Sequence, residues 1–329
     1  MDIEKIKKYL KNYSNKIKIM EVCGTHTSVI RKSGIKDLLS DNINLVSGPG
    51  CPVCVTSVFY IDKLIELSKE YIILTFGDMV KVKGSKKSLA DISNKIVLYN
   101  PMQAIDLALQ NPTKKYCFAA VGFETTLPIY ALMLEKCPDN LKLLTSLKSI
   151  IPALEYICDN EKTIDAFLAP GHVCAVIGAK PFYSLAEKYK KPIIITGFSP
   201  LHILLSIYTA IQMFELKNYS VKNLYKNVVK ENGNENALAL IDKHFHIADD
   251  YWRGIGIIKN SAYVFDDDFN VNNIEDIIET KIDGCRCTDV ILGRINPIEC
   301  PLFRKFCTPL NAIGPCMVSS EGACGIVYS

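Results

Sequence analysis

The chain has 329 residues, 49% of them hydrophobic and 22% charged, with a net charge of +3 and thirteen cysteines. This is the balance of a globular protein with room for two or three domains. The positive charge comes from lysines spread along the sequence, with no basic tract and no acidic tail, which argues against a nucleic-acid partner.

Residues 1–15 follow a charged amphipathic helix pattern with Ile3, Ile6 and Leu10 on one face, and lack the apolar core of a signal peptide. From Lys16 to Thr196 short β-branched runs alternate with helix-period segments. Strands are expected at Ile17–Val22, Ile43–Val46, Ile72–Phe76, Ile96–Tyr99, Tyr116–Val121, Lys142–Thr145, Ala166–Leu168 and Pro192–Thr196. Helices are expected between them at Val58–Tyr71, Met102–Gln110, Leu127–Lys136, Ile151–Asp159 and Ser184–Tyr189. The alternation predicts an α/β fold of parallel βαβ units. So many strands exceed one sheet, and the Asn111-Pro112-Thr113 turn marks a division. The expectation is a first α/β domain at 16–114, a similar second one at 115–215, and a helical, cysteine-rich domain at 216–329 joined by the N-terminal helix. The longest apolar run, Leu201 to Phe214, is interrupted by polar residues and too short for a bilayer, so the expected location is the cytoplasm, with no membrane partner. After Trp252 the pattern becomes irregular and needs a metal or a neighbouring domain to fold.

The turns after the strands carry reactive side chains. They are Cys23 to Thr27, Gly48 to Cys54, Gly77-Asp78, Gly122 to Thr126, Pro170 to Val173 and Gly197 to Pro200. Any one reads as a plain βα connection, but in open parallel sheets ligands bind beyond the carboxyl ends of the strands, and six such turns mark a site. Cys51 and Cys54 form a C-x-x-C at the start of a helix, where the dipole favours thiolate and Pro52 fits the first turn. Such a pair cycles between dithiol and disulfide or ligates a soft metal. Cys23 with His26 is half a metal site or a nucleophile pair, and Cys23, Cys51 and Cys54 together supply three thiols for one soft ion. Glu124 and His172 read equally as acid–base groups or as structural ones, while Cys117, Cys137, Cys158 and Cys174 sit in apolar patterns and read as core.

Six cysteines, Cys285, Cys287, Cys300, Cys307, Cys316 and Cys324, crowd into one stretch that holds no histidine. In a reducing compartment such a cluster signals metal or redox chemistry. Zinc sites favour short C-x2-4-C knuckles, whereas here the only close pair is Cys285 and Cys287; irregular spacing suits an iron–sulfur cluster, with two thiols left for dithiol–disulfide chemistry.

These strings together resemble the HypD family of hydrogenase maturation factors from about Met20 to Tyr328. The matching stretches are Met20 to Thr27, Ser47 to Val55, Gly122 to Thr126, Ala169 to Val173, Trp252 to Gly256, Cys300 to Phe303 and Met317 to Cys324. The resemblance implies two similar α/β domains joined to a [4Fe-4S] domain. It further implies a redox-active scaffold, rather than a turnover enzyme, on which the iron centre of [NiFe] hydrogenase is assembled. By that resemblance Cys23, with a small HypC-like partner, holds an iron carrying cyanide and carbon monoxide. His26 stands where it can hydrogen-bond a bound diatomic or the thiolate. A HypE-like partner, with HypF upstream, supplies the group that becomes cyanide, and Cys51 and Cys54 belong to the same active region; Glu124 is counted with them as a candidate catalytic group on the reading of its own turn. Cys300, Cys307 and Cys324 match cluster ligands with Cys285 or Cys287 as the fourth, and the one left over pairs with Cys316 as a redox disulfide.

The chain departs from the family where Gly-Phe-Glu-Pro-x-Asp is expected, reading Ser199 and His202 at the acidic positions, and it lacks histidines usual near Leu147 and at Ser28. The departures bear on partner docking and on the second α/β domain, and keep open a divergent paralogue serving another metalloenzyme. Two other readings stand beside the scaffold: an iron–sulfur-dependent thiol–disulfide oxidoreductase using Cys51 and Cys54, and a structural zinc protein.

Overall fold

The computed structural model describes residues 2–266 and 282–329. The chain runs from helix α1 (Ile3–Lys11) into strand β1 (Ile17–Glu21), helix α2 (Gly24–Lys32) and strand β2 (Ile43–Ser47). Helices α3 (Pro52–Val55) and α4 (Val58–Leu67) lead to β3 (Ile72–Phe76), α5 (Gly77–Val80), β4 (Lys95–Leu98) and α6 (Gln103–Gln110). Next come β5 (Tyr116–Gly122), α7 (Leu127–Lys136), β6 (Leu141–Lys148) and α8 (Ile150–Asn160). They are followed by β7 (Ala166–Pro170), α9 (Gly171–Ile177), α10 (Pro181–Tyr189), β8 (Ile193–Thr196) and α11 (Pro200–Glu215). The remainder holds β9 (Val221–Asn223), α12 (Glu235–His244), the hairpin β10 (His246–Trp252) and β11 (Gly256–Val264), and short helices α13 (Cys287–Ile291), α14 (Pro315–Val318) and α15 (Ala323–Tyr328). All eight expected strands are present. The α/β class holds.

Two sheets are formed, one ordered β2-β1-β7-β8-β9 and the other β10-β11-β6-β5-β3-β4. The first is parallel throughout, and the second is parallel except for the β10–β11 hairpin added to its edge. Each sheet draws strands from both sides of residue 114, so the division at 16–114 and 115–215 does not follow the sheets. The chain leaves the first sheet after β2, returns at β7 and leaves again after β9. The local pattern of a strand tells that it pairs but not with which neighbour, and β1 takes β2 on one side and β7, from far along the chain, on the other.

The inner strands β5, β7 and β8 are buried along their whole length, as inner parallel strands must be. Along β1, Ile17 and Ile19 face an outer core shared with Ile6 and Leu10 of α1 and with Ile203, Ile207 and Ile211 of α11. Met20 faces a central core that also holds Ile73, Cys117 and Ala119 of the second sheet, together with α8 and α10 side chains such as Leu154 and Leu185. A third core lies on the far face of the second sheet, under α6, α7 and α12. The N-terminal helix therefore packs on the first sheet and not on the cysteine-rich region, held further by Tyr13, whose hydroxyl donates to Glu215 Oε1 at 2.6 Å. The region after Leu201 contains three strands where helix and irregular chain were expected. The hairpin is half-exposed and broken by a register shift near Ala248, so its alternation is weak in sequence. Among the described residues no helix is long and apolar enough to cross a membrane.

Candidate functional site at the sheet edges

In each sheet the strand order reverses beside one strand, at β1 between β2 and β7 and at β3 between β4 and β5. Such reversals leave a crevice at the carboxyl ends of the strands. Cys23 follows β1, the Cys51–Cys54 turn follows β2, His172 follows β7, Asp78 follows β3 and Glu124 follows β5. Gly50 lies so close to the first loop that a Cβ there would come within 2.6 Å of the Val22 carbonyl and 2.8 Å of the Cys23 nitrogen. The C-terminal segment closes over both edges. The Gly24 backbone abuts Glu321, where a Cβ would meet the Glu321 carbonyl at 2.4 Å, and Asp78 accepts hydrogen bonds from Ser319 Oγ, Ser320 N and Ser320 Oγ at 3.2, 3.1 and 2.8 Å.

Cys23 is the residue before α2, in extended conformation, and its thiol makes no capping bond. It is partly accessible. Burial of its sulfur, with the Glu21 carboxylate nearby, pushes the thiol up to about 11 against the opposing backbone hydrogen bonds of His26 and Thr25. Cys51 and Cys54 are joined as a disulfide, with Cα atoms 5.3 Å apart, and both are buried. The disulfide-capable reading of the turn is thus met, while the three thiols do not gather around one ion: among the described residues no three His, Cys, Asp or Glu side chains are grouped for a single metal ion.

Three buried groups surround Cys23. Glu21, to which the sequence reading gave no role, accepts from the Cys23 N–H at 3.1 Å and from the Thr27 hydroxyl, and burial raises its carboxyl to about 7. Its signal was an acidic residue set between Met20 and Val22 at the apolar end of β1. His26 is fully buried, and neither ring nitrogen has a hydrogen-bond partner. Burial, then the neighbouring His172, lowers it to about 4, so the imidazole is neutral. Phe198 lies between the two histidines, 5.0 Å from the His26 ring and stacked at 3.8 Å on His172. Cys174, expected in the core and found there, stands in the electrostatic reach of both Glu124 and Cys23.

Glu124 serves structure through one carboxylate oxygen and leaves the other without a partner. Its Oε1 accepts from Ser149 Oγ at 3.0 Å and from Ile150 N at 2.8 Å, which ties the β5 turn to the start of α8, while Oε2 is buried with no partner. Burial raises the carboxyl to about 7. Between the unfolded value of 4.5 and 7 the folded chain holds a proton that the unfolded chain has lost. This contribution is therefore complete below about pH 4.5 and disappears as the pH rises through 7. Relative to Glu124→Gln, wild-type stability is expected to fall by about 2 kcal/mol between pH 5 and pH 8. Urea unfolding of both proteins at the two pH values measures this, and parallel pH profiles would contradict it.

The terminal cysteines converge beside the disulfide. Helix α14, carrying Cys316, packs on α3. Cys316 Sγ lies 2.8 Å from Cys287 Sγ and also interacts with Cys324. Cys285 lies in the reach of Cys300 and Cys307, with its sulfur so near Gly314 that a Cβ there would approach it to 2.7 Å. An all-thiol donor set spread wider than one ion requires fits an iron–sulfur cluster, whose own sulfides fill the space between ligands.

The departures at Ser199 and His202 have local structural roles. Ser199 Oγ caps α11 by accepting from His202 N at 3.1 Å, and the His202 ring lies 5.8 Å from Tyr225. Leu147 is buried in the core of the second sheet.

The family model for HypD, described as the hydrogenase formation hypA family, matches residues 2–329. The chain belongs to the HypD family. A putative hydrogenase expression/formation protein of Methanocaldococcus jannaschii is 39% identical over 99% of this chain and 95% of its own length. The hydrogenase maturation factor HypD of Escherichia coli is 37% identical, with 95% of this chain and 88% of that protein covered. HypD1 of Bradyrhizobium diazoefficiens is 33% identical, with 95% and 89% covered. Similarity to HypD proteins thus extends over the strand-end loops and the cysteine segment alike.

Proposed function

We propose that this HypD-family chain acts in hydrogenase maturation, as a redox-active scaffold on which an iron centre with cyanide and carbon monoxide ligands is built. The observation that carries the reading is the convergence of a partly accessible Cys23, the Cys51–Cys54 disulfide and a six-thiol cassette at one crevice. Cys23 is the proposed iron ligand, since a low-spin iron with strong-field ligands is soft and takes a thiolate. Neutral His26 beside it, and Glu124 beyond Cys174 with its carboxyl raised to about 7, are the groups proposed to hydrogen-bond or move a proton. The iron and its diatomic ligands are cargo, received with a HypC-like partner and a HypE-like cyanide donor.

In this proposal Cys285, Cys300, Cys307 and Cys324 hold a [4Fe-4S] cluster, which supplies single electrons when bound. The close approach of Cys287 to Cys316 favours these two as the dithiol pair and leaves Cys285 as the fourth ligand. Cleaving a sulfur–cyanide bond to thiolate and cyanide takes two electrons, and the paired cysteines collect them for that step. Protein purified without oxygen with its HypC-like partner is expected to show infrared bands of bound cyanide and carbon monoxide, together with iron and acid-labile sulfide. Zinc without sulfide would replace this reading with a structural one. Iron confined to the cluster, with no diatomic bands, would favour a thiol–disulfide oxidoreductase.

A further inference from the structure

A cavity of about 430 Å³ opens beside the disulfide, with Cys54, Arg253, Asp283, Cys287, Thr288 and Pro315 in its wall. Of the two disulfide cysteines only Cys54 contributes to that wall. Cys51 is not part of it, and its Sγ accepts a hydrogen bond from the Cys54 N–H at 3.1 Å. The pair is therefore polarised. A nucleophile arriving through the cavity meets Cys54, and the sulfur it expels, Cys51, already holds a donor that stabilises a thiolate. No hydrogen bond to the Cys54 sulfur is found among the described residues, so the reverse polarity lacks that support.

The dimensions select the reductant. Cys54 is 1% exposed, so the active-site dithiol of a thioredoxin-sized protein does not reach it, whereas a small molecule entering the cavity does. Arg253, Arg286 and Arg294 line the cavity against Asp283 and Asp289, and guanidinium forks suit a carboxylate or sulfonate. We propose that this cavity admits a low-molecular-mass anionic thiol from solution, which reduces the Cys51–Cys54 disulfide by attack at Cys54. The thiolate forms a bond to Cys54 Sγ, the Cys51–Cys54 bond breaks, and Cys51 leaves as a thiolate. A second molecule of the thiol attacks the outer sulfur of the mixed disulfide and releases the small-molecule disulfide. Two electrons pass from the two external thiols to the protein, and their two protons end on Cys51 and Cys54. Cys285 and Cys287 of the cassette also stand in the cavity wall, so this entry lies beside the cassette, and it stands or falls independently of any iron at Cys23.

The test uses full-length Cys51→Ser and Cys54→Ser chains, treated with the disulfide of 2-mercaptoethanesulfonate and mapped by peptide mass spectrometry. Cys54 in the first is expected to form the mixed disulfide about tenfold faster than Cys51 in the second. Asp283→Trp, which narrows the cavity at an exposed position, is expected to slow the Cys54 adduct about tenfold with the near-ultraviolet circular dichroism unchanged. In the wild-type chain the free sulfonate thiol is expected to reduce the disulfide faster than thioredoxin at equal thiol concentration. Faster labelling at Cys51, an adduct confined to Cys287, or faster reduction by thioredoxin would each overturn the proposal.

Discussion

On the proposed function, a Cys23→Ser chain is expected to fold, to keep the absorption of the proposed cysteine-bound cluster, and to carry no cyanide or carbon monoxide. Serine is nearly isosteric with cysteine and is itself a favoured residue at the helix start that Cys23 occupies. A serine hydroxyl there can accept from the same backbone N–H groups of Thr25 and His26 that face the thiol, so the start of α2 is kept. What disappears is the one soft ligand of the β1 loop, and a hydroxyl does not replace a thiolate on a low-spin iron. Active hydrogenase formed in a complementation assay should fall by about 100-fold or more, a loss expected for a primary ligand given that even supporting residues cost about 10–100-fold. Infrared bands that persist in this variant would assign the iron elsewhere and sink the role given to Cys23.

The largest loss of stability is expected at Trp252, far from the cysteines in chemistry but next to them in space. Its indole is fully buried, donates to Ser261 Oγ at 2.8 Å and packs 6.0 Å from Phe123, the residue before Glu124. It also carries the Lys148 ammonium 5.5 Å from its ring centroid, and that lysine, itself buried, is paired with Asp250 and donates to the Tyr251 carbonyl at 3.0 Å. Trp252→Ala opens a cavity under the hairpin, removes the donor to Ser261 Oγ and strips the ring face from a buried cation. The expected cost is about 3–5 kcal/mol. Urea denaturation measures it directly, and a loss below about 1 kcal/mol would show that the hairpin repacks. The next residue, Arg253, donates its backbone N–H to Val55 at the end of α3 at 2.9 Å, so the same substitution should loosen the disulfide turn and speed its reduction.

Much of this was readable in the chain. The strands of the two sheets announced themselves because buried parallel strands are continuous β-branched runs, and Gly50 and Pro52 marked a rigid turn in which two cysteines meet. The sheet partners were not readable, since β1 pairs with β7 only after the whole second sheet has been started. The hairpin was missed for a different reason: His246 to Trp252 lies at a sheet edge, half wet, and its polar residues dilute the alternation. Glu21 was given no role because only its burial distinguishes it, and Asp78, though its turn was named, was given no anchoring role because its partners lie far along the chain. One is a buried carboxyl under Cys23 and the other an anchor for Ser319 and Ser320.

The contact between Gly24 and Glu321 also fixes when in the life of the molecule the crevice exists. The cysteines of the first two turns leave the ribosome early, yet from Cys54 to Cys324 lie a further 270 residues. At about 5–20 residues per second that interval lasts from roughly a quarter of a minute to a minute. Throughout it β1 lacks one of its two neighbours or the segment that covers its loop, and Cys23, Cys51 and Cys54 have no walls around them. The thiols meet as a set only when residues 315–324 dock, so a nascent chain cannot present the finished crevice. The last step of folding is thereby the step that commissions the site.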